Sequence, residues 1–137
     1  MKRFVLDSSV TMAWCFEDES TAYTKRVLNL IAEGGATVPT IWPLEIANAV
    51  LVGMRAKRVL PADGNRFLTM LSGLPIRVDV VTAQIAFEAI FNVARDQALS
   101  SYDASYLELA MRENLPLATL DKNLRRAAGR LGVDLLA

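Results

Sequence analysis

Phe4-Val5-Leu6 is a short unbroken apolar run of the kind that forms a parallel strand covered on both faces, and it stops at Asp7. Ser8 to Phe16 then reads as a short helix. After the acidic turn Glu17-Asp18-Glu19, Ser20 is placed to cap a helix whose Val27, Leu28 and Ile31 form one apolar stripe, closed by Gly34-Gly35. Thr37-Val38 predicts a brief second strand. Pro43 suits the first turn of a third helix running to about Lys57, and Pro61 opens a fourth that ends near Gly73. Ile76 to Val81 alternates as a strand, and Ile85, Ala86, Ala89, Ile90 and Val93 have helical spacing within Thr82 to Asp96. Ser100 or Ser101 starts another helix through Glu113. Leu117 to Leu120 predicts a fourth strand, Asp121 to Leu131 a helix and Val133 to Leu136 a last strand.

Strands that alternate with helices at this pitch need crossover connections, so the expected class is α/β: a mainly parallel sheet of about five short strands with helices on both faces. No repeat or linker divides the chain, and 137 residues match one domain, expected over 1–137. With 53% hydrophobic and 22% charged residues the chain is too apolar for disorder.

The absence of histidine excludes a Ser-His-Asp triad, a histidine general base and His-containing zinc sites. A single cysteine, Cys15, excludes an internal disulfide and any multi-thiolate site, and suits a reducing compartment. The start Met1-Lys2-Arg3 is basic like a signal peptide, but Asp7 and the serines after it interrupt the apolar stretch. No run approaches the about 18 apolar residues of a membrane helix. A cytoplasmic protein is expected.

What remains for chemistry is carboxylates. Ligand sites in parallel sheets form outside the carboxyl ends of strands, where Asp7 and Asp121 lie, each immediately before a helix. Helix capping is the plain alternative for both, and Arg125, one turn on, adds to it at Asp121. Glu45 sits in the run Leu44 to Met54, whose other polar side chain is Asn48; a helix apolar on nearly every face is expected to be buried. No cation stands three or four residues from Glu45. A buried carboxylate must then find a distant partner, take a proton or bind a metal. Asp103 shares a helical stripe with Tyr106, Leu107, Ala110 and Met111, which directs it inward, again without a local cation.

If these acids converge, two charges about 5 Å apart repel by roughly 3 kcal/mol at an effective dielectric near 20. Such a group needs cations. With oxygen ligands only, the matching ion is Mg²⁺ or Mn²⁺, which suits phosphodiester hydrolysis by an activated water. Thr119, two residues before Asp121 and on the same strand face, could hold a carboxylate, and so could Ser8 and Ser9 beside Asp7. Ordinary turn and cap bonding is the alternative for these hydroxyls. Asn48, one turn from Glu45, is a candidate to support it.

The ordered set Val5-Leu6-Asp7-Ser8-Ser9, Pro43 to Asn48, Ser101 to Tyr106 and Ala118 to Leu124 resembles the PIN-domain ribonucleases, and among them the VapC-type toxins of toxin–antitoxin pairs. The resemblance spans nearly the whole chain. It implies a PIN-like three-layer α/β/α sandwich and an Mg²⁺- or Mn²⁺-dependent endoribonuclease with Asp7, Glu45, Asp103 and Asp121 as the acidic site and Thr119 as accessory. It also implies a homodimer and a small cognate VapB-like antitoxin. Some relatives have a further acid where this chain has Lys122-Asn123, so a fifth carboxylate is missing.

The formal net charge is zero, so attraction to RNA must be local. Lys122, Arg125, Arg126 and Arg130 follow Asp121 and are the RNA-binding candidates. Arg55, Lys57 and Arg58 read instead as an ordinary basic helix end. Trp14, Trp42, Phe87 and Phe91 suit a core or a dimer interface. Two rivals share parts of the pattern: a haloacid dehalogenase-like phosphatase, in which Ser9 would replace the second acid of the first motif, and a non-catalytic RNA- or protein-binding PIN-like domain.

Overall fold

The computed structural model describes residues 3–137; Met1 and Lys2, which open the basic start, lie outside the described residues. Strand β1, Phe4–Leu6, is buried at every position, as are β2, Ala36–Pro39, and β4, Leu117–Ala118. Successive strand side chains point to opposite faces, so burial of each one means both faces of the sheet are covered. β3, Ile76–Asp79, is partly exposed and lies at an edge. The four strands are all parallel in the order β3-β2-β1-β4, with Phe4 opposite Ala36 and Leu6 opposite Ala118.

That order fixes the site. The chain steps from β1 to β2 and β3 on one side and later returns to place β4 on the other, so the winding reverses between β1 and β4. The crevice at their carboxyl ends is the switch point where open α/β sheets bind ligands. Asp7 and Thr119 are the residues that follow these two strands.

The helices are α1, Ser8–Met12; α2, Ala22–Gly34; α3, Ile41–Arg55; α4, Pro61–Ser72; α5, Ala83–Ile85, continued through a π-helical turn, Ala86–Ile90, into α6, Phe91–Gln97; α7, Ser101–Glu113; and α8, Lys122–Leu131. α7 packs on β1 and β2. Its Tyr106, Leu107 and Ala110 are buried as its stripe predicts, but Met111 is exposed.

Several expectations need correction. Among the described residues the sheet has four strands rather than about five, because Val133 to Leu136 contributes a single bridge, Leu117 to Leu135, after Gly132 turns the chain in a left-handed conformation. The helix expected over Ser8 to Phe16 ends at Met12. Thr21, not Ser20, caps α2, through a reciprocal bond with Thr24. α3 ends at Arg55, and left-handed Lys57 lies beyond it.

Nor is α3 buried all round. Trp42, Ile46, Val50 and Gly53 form its packed stripe, while Leu44, Leu51 and Val52 are exposed. Phe87 and Phe91 are also at the surface, whereas Trp42 is in the core and Trp14 packs against it. No helix among the described residues is long and apolar enough to cross a membrane.

Gly53 shows how closely α3 is packed. A Cβ built there would stand 2.7 Å from the Phe16 ring, which itself lies under the Arg58 guanidinium. Gly53→Ala gains about 1 kcal/mol of helix propensity and incurs about 1–3 kcal/mol of overpacking. A net loss of about 1 kcal/mol is expected in urea unfolding; an alanine variant more stable than the parent would contradict it.

Candidate functional site

Asp7 occupies the N-cap position of α1 in extended backbone conformation, yet its side chain makes no cap bond. The carboxylate is instead turned toward β4. Its Oδ2 accepts from Ser9 Oγ at 2.6 Å and from Thr119 Oγ1 at 2.7 Å, while Oδ1 has Ser8 Oγ at 3.5 Å. Ser9 Oγ in turn accepts from the Leu120 amide at 3.0 Å, and Thr119 Oγ1 from the Asp121 amide at 3.0 Å. Two hydroxyls therefore lace the ends of β1 and β4 together and fix one oxygen of Asp7. Beyond these, the carboxylate has only Ser8 beside it, through its backbone and its hydroxyl, although the residue is just 4% exposed.

This environment sets the charge. Burial pushes the Asp7 carboxyl above its usual range; the Ser9 and Thr119 hydroxyls and the Ser8 backbone oppose that, and the negative charge of Asp121 adds to it. Glu45, half-buried on α3, is raised by burial and then by Asp7 and Asp103, against a lowering from the hydroxyl that Tyr106 donates to its Oε1. Asp103, in the first turn of α7, is raised by burial and by Asp7 and Asp121; its amide donates to Ser100 Oγ at 3.0 Å. Burial also holds the Tyr106 phenol protonated well above its ordinary range.

Asp121 does cap its helix, accepting from the Leu124 amide at 2.9 Å. The capping alternative thus describes Asp121 and not Asp7.

Asp7 feels the charge of Asp121, Glu45 that of Asp7 and Asp103, and Asp103 that of Asp7 and Asp121, and among the described residues none of the four has an ion-pair partner. The spacing differs from tight convergence. Among the described residues, no three acidic or thiol side chains close into one metal-ligating group. The reason is tethering: Asp7 is held by Ser9 and Thr119, Glu45 by Tyr106 and Asp121 by the α8 amide.

The donor chemistry nevertheless fits a hard divalent ion. The side chains of the four acids offer oxygen ligands, and their charges meet hydroxyls and amides but no cation among the described residues.

Asn48 is exposed and makes no hydrogen bond to Glu45; Tyr106 takes that place. Tyr106 had a sequence signal, since a tyrosine on a core stripe needs a partner for its hydroxyl. On α8, Arg125 donates to the Thr119 carbonyl at 3.2 Å and lies near Tyr23, whose hydroxyl bonds the Leu136 carbonyl, on the side of β4 away from β1. Arg126 donates to Asn123 and Arg130 to Gln97, and none of these arginines is ion-paired among the described residues. Arg58, by contrast, is bound to Asp18 and Glu19.

The sequence model of one family, the PIN domain, matches residues 4–130. No curated protein matches the chain. Among solved structures, a Pyrobaculum aerophilum protein superposes with a TM-score of 0.72 at 22% identity, covering 91% of this chain and 84% of its own. VapBC2 from Rickettsia felis, bound to a DNA fragment from its promoter, gives 0.68 at 14% identity, with 99% and 98% covered. A toxin–antitoxin complex from Klebsiella pneumoniae gives 0.64 at 20% identity, with 95% and 94% covered.

Proposed function

We propose, on the premise that this chain belongs to the PIN-domain family, that it is a divalent-ion-dependent endoribonuclease and the toxin of a VapBC-type toxin–antitoxin pair. The observation that carries this reading is Asp7: a buried carboxylate at the sheet's switch point, facing other acids and no cation. Two of the similar solved structures are, by description, VapBC2 and a toxin–antitoxin complex, which supports the second half.

Asp7, Glu45, Asp103 and Asp121 would hold Mg²⁺ or Mn²⁺. When bound, such an ion supplies the positive charge that phosphodiester hydrolysis requires and acidifies water for attack. The chain's own groups do the rest. Ser9 and Thr119 orient Asp7, and Ser8 stands by its other oxygen. Arg125, Lys122, Arg126 and Arg130 follow Asp121 along α8 and would neutralise phosphates of the strand. The protein acts in the cytoplasm as one PIN-like domain over 1–137. Exposed Leu44, Phe87 and Phe91 support a homodimer, and a small antitoxin covers the acidic crevice.

The test is cleavage of total RNA with mapped ends. Discrete cuts that require Mg²⁺ or Mn²⁺ and vanish in EDTA are expected; intact RNA, or cuts indifferent to EDTA, would contradict the reading. The R126A/R130A variant should raise KM about 5–10-fold with kcat unchanged, and flatten the salt dependence by about one unit of slope for each phosphate no longer neutralised. An unaltered salt slope would remove these residues from the RNA path.

A further inference from the structure

α7 approaches the acidic crevice twice. Asp103 faces it from the first turn, and Tyr106, one turn on, lies beneath it with no exposed surface. The Tyr106 hydroxyl donates to Glu45 Oε1 at 2.5 Å and so ties α7 to α3 across 61 residues of chain. On α7, Leu107, Leu109 and Ala110 are buried and apolar, while the buried polar Ser105 and Glu108 are satisfied by the Tyr102 carbonyl and by Arg112. The apolar packing would accept phenylalanine; the oxygen is accounted for by Glu45, with the Ser8 hydroxyl beside it. From the other side, Glu45 has no ion pair among the described residues and Asn48 does not reach it; the Ser8 hydroxyl is its weaker neighbour beside Tyr106.

A glutamate has three rotatable bonds, and a half-buried one with a single fixed oxygen has lost most of that freedom before any ligand arrives. Groups that orient a ligating carboxylate in this way commonly account for about 10–100-fold in metal affinity.

We propose that Tyr106 is a positioning residue: its hydroxyl holds the Glu45 carboxylate in place for a divalent ion and thereby sets the affinity for that ion, without touching ion or RNA. This rests on the metal-dependent reading above, and the experiment separates the two. Mn²⁺ is titrated calorimetrically into the EDTA-washed full chain, without RNA, for the parent, Tyr106→Phe, Glu45→Gln and the double variant, and each is melted in EDTA. Phenylalanine keeps the ring and its packing.

Tyr106→Phe should bind Mn²⁺ about 10-fold more weakly, with little change in the EDTA melt, and the double variant should bind no more weakly than Glu45→Gln alone. Parent-like Mn²⁺ affinity in Tyr106→Phe overturns the proposal while leaving the metal reading intact. So does a further loss from Tyr106→Phe in the Glu45→Gln background, or a lowered melt with unaltered affinity, the mark of a purely structural role. A parent that binds no Mn²⁺ overturns the metal reading and this role with it.

Discussion

Asp7→Asn should lower metal-dependent RNA cleavage by about 10³-fold, the equivalent of about 4 kcal/mol of lost transition-state stabilisation, while the folded protein melts no lower than the parent. The two halves come from one cause. Burial works against the charge of Asp7, and Asp121 adds to the penalty, so a neutral side chain of the same shape relieves the fold. The hydroxyls of Ser9 and Thr119 can both donate and accept, which lets them satisfy an amide in place of a carboxylate. The same neutrality removes the ligand for the ion. Steady-state cleavage and thermal melts of the purified variant check both halves. Parent-like cleavage would make Asp7 structural, and a large fall in Tm would show that the carboxylate is retained for folding.

The second large effect is on stability against pH and metal. Asp7, Glu45 and Asp103 all titrate above their ordinary values of 3.8, 4.5 and 3.8 in the folded chain. Between the ordinary and raised values the folded state binds more protons than the unfolded one, so stability falls as pH rises through that window. In EDTA, Tm should therefore be higher near pH 5 than near pH 8. Saturating Mg²⁺ at pH 8, about 100 times its Kd, should restore about 2.7 kcal/mol, or about 5–10 °C. At pH 5 the gain should be smaller, because protons compete for the same oxygens. Melts at the two pH values, with EDTA and with Mg²⁺, measure all of this. Equal Tm values in EDTA, or a larger Mg²⁺ gain at pH 5, would contradict a pocket of unneutralised acids.

The parts of the site that are legible in the sequence are those set by strand and helix period. Asp7 and Thr119 follow unbroken apolar runs, so a parallel sheet brings them together whatever the register details. Asp121 precedes a helix and caps it. Tyr106 is harder to find, because its partner lies 61 residues away and its own helix stripe looks like ordinary core.

The burial of α3 is misleading for a different reason. Leu44, Leu51 and Val52 carry the same apolar signal as Ile46 and Val50, but only one stripe can face the molecule. Apolar composition cannot distinguish a core from a face that awaits another chain. The last strand fails on length: one bridge at Leu135 is all that remains once Gly132 has turned the chain.

If the crevice between β1 and β4 holds a divalent ion on Asp7 and its neighbouring acids, crystals soaked in Mn²⁺ and measured at the manganese absorption edge will reveal it directly. An anomalous peak is expected within about 2.5 Å of an Asp7 oxygen, with Asp103 or Glu45 facing it. A well-ordered crevice without such a peak, or with manganese bound only elsewhere on the protein, would contradict the metal site and the nuclease built on it.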